Sequence, residues 1–391
     1  CARRGGSYDH CHAIEEHLGS HRTTRMKWTP DDLRHMRRAI VLAENGARTV
    51  APNPLVGCVI TSEAGEVIGE GWHEKPGNDH AEVKALQSVS DSNRSMLPMS
   101  TWYVTLEPCN HMGRTPPCAA LIESVRPRRL VIACSDTNPN VQGGGAGRLR
   151  QAGISVETGC LQNEVQWQNR RFFWNALHQR PWVVLKWAQC QNGYLDPRSS
   201  EERTPGAGSF ALTGPEARAI THDWRSKEQA IAIGSNTALV DNPRLDVRVI
   251  DAPSPRIILL DPSGELPASH PLFKNAQNLI HVVGSGHAAH GDFGCTWDIH
   301  QGIDNLLTKL YGEFGVMSVL IEGGAAVLSA FLDADRWNEI KTWTSAKQFH
   351  SGLKAPELPQ TLLAPAYESN TEGMSGSDQW NWFIHPRVSK Q

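Results

Sequence analysis

The chain has 391 residues, 39% of them hydrophobic and 20% charged, and its 13 Trp, 9 Phe and 5 Tyr exclude disorder throughout. At that length two or three domains with separate apolar cores are expected. Lys and Arg number 38 against 41 Asp and Glu, so there is no basic excess for nucleic acid. No apolar run is long enough to span a bilayer as a helix. Nine cysteines suggest no paired framework, so we expect a reducing, cytoplasmic setting with thiols available to a metal.

Residues 1–25 mix Arg, Gly and His without apolar periodicity or the apolar core of a signal peptide. We expect a disordered or non-native extension there, with Met26 as a start. Cys11, His12, His17 and His21 could bind a metal, but no turn or strand frames them. From Thr29 the pattern becomes regular. Thr29 can cap a helix with Pro30 at its first position and Asp31 and Asp32 in its first turn. Leu33, Met36 and Ile40 give it an apolar face, and Asn45-Gly46 ends it.

Residues 55–61 (LVGCVIT) read as a buried strand, 63–66 as a turn and 67–72 as the return strand. A helix is expected over 80–89, a strand over 101–106, a helix over 118–125, a strand over 129–133, a helix from 147 and a short strand over 154–157. Strands alternating with helices argue an α/β layer fold. Residues 163–179 read as one helix leading out of a first domain spanning 27–172. A second series begins after Arg180-Pro181 and runs over 180–388. Its strands are expected at 182–187, 229–234, 256–260, 279–283 and 316–321, with a helix at 325–332. A polar loop over 368–380 is expected before a last strand at 382–385.

The chemistry concentrates in His80-Ala81-Glu82 and in Cys109 and Cys118, each cysteine preceded by proline. One imidazole and two thiolates leave the fourth position of a tetrahedral zinc open for water, whose pKa the metal lowers toward ~7. Glu82 stands two residues after His80 and is the natural proton shuttle for a hydrolytic deamination. The pattern is that of the zinc nucleobase deaminases, except that eight residues separate the two cysteines. A closed structural zinc site, or incidental free thiols beside a helix start, is the plainer alternative.

That longer loop is distinctive. Residues 105–118 (TLEPCNHMGRTPPC), with Pro52-Asn53-Pro54-Leu55-Val56-Gly57-Cys58-Val59 and the run from Gly69 through His73 to Glu82, resemble the deaminase half of the bifunctional riboflavin-biosynthesis deaminase–reductases. The resemblance implies a cytidine-deaminase-like domain in which Asn53 and His73 face the pyrimidine. Taken alone, Asn53 could be a turn residue and His73 a hydrogen-bonded strand-end histidine. His111 and Arg114 could contact base and sugar or be loop filler.

No G-x-G-x-x-G occurs, and residues 143–147 (GGGAG) read better as a turn before a helix than as a phosphate cradle. Ile321-Glu322-Gly323-Gly324-Ala325 follows a strand and opens a helix, a phosphate-holding arrangement or simply a tight turn. The second half resembles the reductase domain of the same family through Leu185-Lys186-Trp187-Ala188, Trp224-Arg225-Ser226, residues 234–245 and Ile321-Glu322-Gly323-Gly324. The resemblance implies a dihydrofolate-reductase-like fold and NADPH. It sets Ala188, Thr237, Asp241 and Gly324 toward the cofactor, and Lys186, Ser209, Arg225, Leu245, Arg248 and Glu322 toward a phosphoribosylaminopyrimidine. Cys190-Gln191-Asn192-Gly193 replaces a Ser-x-Asp-Gly-like turn, and Ala211 stands where an aromatic residue is common. The family implies zinc- and NADPH-dependent deamination and then reduction, in a homo-oligomer that binds neither nucleic acid nor membrane. A deaminase with a degenerate reductase half is the alternative.

Overall fold

The computed structural model describes residues 27–112, 116–135, 144–275, 278–365 and 371–388. The proposed extension 1–25, with its Cys11 and His12 cluster, and Arg114 lie outside the described residues.

Thr29 caps α1 (Pro30–Glu44) as expected, and Asp32 completes a reciprocal cap by accepting from the Thr29 amide. Then follow β1 (Gly57–Thr61), β2 (Val67–Trp72), α2 (Ala81–Gln87), β3 (Thr101–Leu106), α3 (Cys118–Val125), β4 (Arg129–Cys134), α4 (Gly144–Gln151) and β5 (Ser155–Thr158). The sheet order is β2-β1-β3-β4-β5, with β1 antiparallel to both neighbours and β3, β4 and β5 parallel. Met36, Ala39 and Leu42 of α1 cover one face, against Val59, Tyr103 and Val131. Ala81 and Ala85 of α2, Ile122 of α3 and Leu149 of α4 cover the other, against Cys58, Trp102 and Ile132. Each fully buried large side chain contributes about 1.5–3 kcal/mol. Gly57 is required at the α1 crossing, because a Cβ there would stand 2.0 Å from the Ala39 carbonyl oxygen.

The expected single helix over 163–179 is two helices, α5 (Gln162–Gln168) and α6 (Arg170–His178). They break at Asn169, whose backbone departs from helical angles (φ −96°, ψ 18°) while its side chain reaches back to Leu55.

The second half contains β6 (Trp182–Cys190), β7 (Tyr194–Asp196), α7 (Pro215–Ser226), β8 (Ala230–Gly234), α8 (Ser235–Asp241), β9 (Arg256–Asp261), α9 (Pro271–Asn275), β10 (Ile280–Val283) and β11 (Phe293–Thr296). It continues through α10 (Gly302–Gly312), β12 (Ser318–Ile321), α11 (Ala325–Asp333), β13 (Glu339–Ser345), β14 (Leu353–Lys354), β15 (Glu372–Ser375) and β16 (Asp378–Ile384). The large sheet has the order β11-β10-β9-β8-β12-β6-β13-β16-β15. It is parallel from β11 to β13 and antiparallel at β16 and β15. The polar stretch expected as a loop over 368–380 is instead partly a hairpin, β15 and the first residues of β16 turning at Gly376 in the left-handed region (φ +62°). Strand β13 was not expected from the sequence, because the buried Glu339 and Lys341 interrupt its apolar pattern.

Between the two halves lies a cleft of about 930 Å3, reached by Asn53, Trp167, Arg170, Lys341 and Trp382. Arg170 of α6 donates to Glu339 of β13 at 2.9 Å, both Arg171 prongs meet Glu228, and Arg48 pairs with Asp223 of α7 at 2.9 Å.

Candidate functional site

His80 is the N-cap of α2, with extended backbone and no capping bond from its side chain, which leaves the imidazole to turn inward. Cys118 is the first residue of α3, and Pro117 is its cap. The two helix starts bring His80 Nδ1 to 3.6 Å from Cys109 Sγ and 3.3 Å from Cys118 Sγ, and all three ligand atoms lie within 4.8 Å of one another. Bond lengths of about 2.1 Å to nitrogen and about 2.3 Å to sulfur on a tetrahedral zinc require edges of roughly 3.6–3.8 Å, so the donor set fits zinc in type and spacing. The Cys118 amide at the start of α3 donates to Cys109 Sγ at 3.3 Å. Cys118 and the His80 imidazole pull the Cys109 thiol down to about 4, and the Cys109 thiolate in turn pushes Cys118 up.

Glu82, in the first turn of α2, is 3% exposed, and burial pushes its carboxyl up. That is the direction a proton shuttle working near neutrality requires. His73 packs edge-on against His80 with ring centroids 5.2 Å apart. Burial lowers the His73 pKa, which favours the neutral ring. Its Nδ1 lies 3.2 Å from the Asp79 carbonyl and its Nε2 2.9 Å from Asn53 Nδ2. The network assigns Nδ1 as donor and Nε2 as acceptor from the Asn53 amide. Asn53 and His73, both named from sequence, thus meet each other beside His80. His111 is exposed.

In the second half Lys186 of β6, Arg225 of α7 and Glu322 after β12 converge. Arg225 grips Glu322 with both prongs, at 2.8 and 2.7 Å, and Lys186 Nζ stands 3.9 Å from the same carboxylate. Burial alone would raise the Glu322 carboxyl; Arg225 and then Lys186 outweigh it and hold the group at about 2. Burial also lowers the Lys186 pKa.

Thr237 and Gly324 also meet: the Gly324 amide donates to Thr237 Oγ1 at 2.9 Å, joining the N-terminus of α8 to that of α11. The ledge between them is bare backbone. A Cβ at Gly234 or Gly323 would stand 2.9 or 2.7 Å from Val327, and one at Gly324 would stand 3.1 Å from Thr237 Oγ1. Such a cradle suits the phosphates of a dinucleotide, so the residues fit NADPH. Asp241 is ion-paired to Arg203 at 3.0 Å, and Ala188 packs beside Trp224 and Trp343. Leu245 is buried with left-handed backbone (φ +55°). Ser209 and Arg248 are exposed, and Arg248 pairs with Asp246. The Arg225 guanidinium also reaches the Asp246 carbonyl at 3.3 Å, so the segment carrying Arg248 lies beside the same charged cluster.

Sequence reasoning missed Asn169 and the Arg170, Arg171, Glu228 and Glu339 cluster. The interruption of an otherwise helical pattern by a polar Asn-Arg-Arg run was the only signal, and it reads equally well as a solvated face.

Residues 29–134 match the cytidine and deoxycytidylate deaminase zinc-binding region, and residues 181–345 match the RibD C-terminal domain. The riboflavin biosynthesis protein RibD of Aquifex aeolicus is 34% identical over 334 residues, covering 84% of this chain and 90% of that one. The RibD of Actinobacillus pleuropneumoniae is 36% identical over 334 residues, covering 82% and 85%. Among solved structures, Acinetobacter baumannii RibD superposes with a TM-score of 0.78 at 30% identity, covering 90% of this chain and 98% of that one. The Thermotoga maritima diaminohydroxyphosphoribosylaminopyrimidine deaminase/5-amino-6-(5-phosphoribosylamino)uracil reductase does so with a TM-score of 0.79 at 30% identity and the same coverage. With a His-Cys-Cys donor set in one half and a dihydrofolate-reductase-like sheet in the other, this chain belongs to the RibD family of riboflavin-biosynthesis proteins and is a bifunctional zinc deaminase and NADPH-dependent reductase.

Proposed function

We propose that the first domain, residues 27–172, hydrolyses the 2-amino group of 2,5-diamino-6-(5-phosphoribosylamino)pyrimidin-4(3H)-one, and that the second, residues 180–388, reduces the ribosyl chain of the product to ribityl. The observation that carries this reading is the convergence of His80, Cys109 and Cys118 with the buried Glu82 and the Asn53–His73 pair.

When bound by His80, Cys109 and Cys118, zinc supplies Lewis-acid activation of water. Glu82 takes the proton from the attacking water and returns it to the leaving amine, which departs as ammonia. Asn53, oriented by His73, holds the pyrimidine edge. In the second domain NADPH, when bound, would supply the hydride for reducing the ribosyl chain. The Thr237–Gly324 ledge would hold its phosphates, and Ala188 and Asp241 would contact it. Lys186, Arg225 and Glu322 form the charged wall of the substrate pocket, and Ser209, Leu245 and Arg248 border it.

Self-association and a reducing, cytoplasmic setting complete the reading. Phe293 on edge strand β11 is 41% exposed and Met374 on edge strand β15 is 64% exposed, apolar side chains on two unpaired sheet edges that contact between copies would cover. All seven cysteines of the described residues are free. The test is mass analysis of product from the purified chain with and without NADPH, with solution mass measured in parallel. A deaminated product that gains two hydrogens only with NADPH is expected. A deaminated product that NADPH never alters would sink the reductase half.

A further inference from the structure

The loop that presents Asn53 is held from the far end of its own domain, by a residue whose neighbours are anchored on the second domain. Asn169 is 2% exposed, and its side chain bonds both polar groups of Leu55, two residues beyond Asn53. Asn169 Oδ1 accepts from the Leu55 amide at 2.7 Å, and Asn169 Nδ2 donates to the Leu55 carbonyl at 3.0 Å. Two opposed bonds from one planar amide hold the peptide groups on both sides of the Leu55 Cα and so fix where that residue's backbone lies. The next residue, Val56, accepts from the His73 amide at 2.9 Å, and His73 accepts from Asn53.

Asn169 is itself immobilised by the reductase domain. Its neighbour Arg170 donates to Glu339 at 2.9 Å and stacks on Trp167 at 4.2 Å, and Trp182 Nε1 donates to the same carboxylate at 2.9 Å. Arg171 closes both prongs on Glu228. One turn further, Asn175 donates to the Met317 carbonyl just before β12, at 2.9 Å. The upstream end of the loop is tied as well, by Arg48 to Asp223.

We propose that Asn169 is a positioning residue for deamination, holding the Asn53 loop in register with the zinc ligands from a segment anchored on the reductase sheet. The inference rests on the reading of Asn53 as a pyrimidine contact. It makes the reductase domain a structural part of the deaminase site, through a chain running from Glu339 and Glu228 by way of Arg170, Arg171, Asn169 and Leu55 to Asn53.

The test is deamination kinetics, zinc content and reductase kinetics on deaminated substrate for Asn169→Ala and Asn169→Asp in the full chain, with Asn53→Ala alongside. Asn169→Asp is nearly isosteric and keeps the acceptor for the Leu55 amide, but it turns a carboxylate oxygen on the Leu55 carbonyl. Both Asn169 variants are expected to bind zinc stoichiometrically and to reduce at the wild-type rate. Their deamination KM should rise roughly tenfold to a hundredfold, the scale of one lost hydrogen bond to a buried group, with kcat changing less because the contact is already made in the ground state. Deamination KM within twofold of wild type in both variants would overturn the inference. So would equal loss of the two activities, or failure of both variants to fold, since Asn169 would then serve the fold alone. If Asn53→Ala raises KM and the Asn169 variants do not, only the positioning inference fails. If Asn53→Ala leaves KM unchanged, the reading of Asn53 fails, and the inference fails with it.

Discussion

Arg225 spends both prongs of its guanidinium on Glu322, and its remaining terminal nitrogen reaches the Asp246 carbonyl at 3.3 Å. From sequence Arg225 reads as a residue facing substrate; in the folded chain it is first the partner that keeps a buried carboxylate ionised. Two of its five N–H groups remain to meet an anion such as the substrate 5-phosphate. Arg225→Ala should therefore act twice, by removing a donor and by leaving Glu322 with Lys186 alone. A loss of about 2–5 kcal/mol is expected, or about 30-fold to several thousand-fold in reductase kcat/KM. Arg225→Lys should recover only part of it, because an ammonium cannot match both carboxylate oxygens. Deamination by both variants should stay within twofold of wild type, and the two half-reactions assayed separately will show whether it does.

Cys109→Ala should lose stoichiometric zinc and all ammonia release, because His80 and Cys118 are the only other ligands of the cluster among the described residues. Metal analysis with an ammonia assay checks this; a variant that retains one zinc per chain would show that the ligand set is wrong.

Glu82→Gln should keep its zinc and fold and lose at least ~10²-fold in deamination, the usual scale for a positioned acid–base group. Unchanged turnover would remove Glu82 from the mechanism and leave its burial unexplained.

Thr237→Val keeps the volume of the side chain and removes the acceptor for the Gly324 amide. One net hydrogen bond of about 0.5–1.5 kcal/mol predicts a rise of roughly twofold to tenfold in KM for NADPH. NADPH titration at saturating deaminated substrate measures it, and an unchanged KM would detach the ledge from cofactor binding.

Acid should loosen the first domain through Asp32. Burial alone would raise this carboxyl, but Arg129 and the Thr29 cap outweigh it and hold it at about 2, below the ordinary value of 3.8. A group depressed in the folded state contributes stability that is fully present above its unfolded pKa and is lost as pH falls through the folded value. The loss should fall between about pH 4 and pH 2. Asp32→Asn should be less stable at neutral pH and show a shallower decline over that window, and melting temperature against pH would reveal a variant that behaves like wild type. Thr29→Ala should cost about 0.5–2 kcal/mol for the lost cap.

Much of this was legible before any fold was known, and the reasons are local. Thr29-Pro30-Asp31-Asp32 states a helix start through hydrogen-bonding chemistry within four residues. His80, Glu82, Cys109 and Cys118 announce a metal because few other arrangements need those types in that order. What stayed hidden depends on distant partners. Strand β13 carries Glu339 and Lys341 into the interior, where Arg170, Arg171 and two Trp rings receive them, and no window of sequence around 339–345 contains those partners. The break at Asn169 likewise follows from Leu55, far upstream. Arg225 reads from sequence as facing substrate, but its two-pronged pairing with Glu322 could not be read from two residues 97 positions apart.

The order of strands in the large sheet has a consequence for synthesis on the ribosome. Strand β6 is made first, yet its permanent neighbours are β12 on one side and β13 on the other, which begin at Ser318 and Glu339. The apolar run Trp182–Leu185 must therefore wait, unpaired along both edges, while more than a hundred further residues are made. Nonlocal parallel pairing is slow, and unpaired edges invite association between nascent chains. The first domain's sheet, by contrast, needs nothing beyond β5 and can close early. Its Asn53 loop would then be the last part of the deaminase to settle, locking only when Glu339 arrives to receive Arg170.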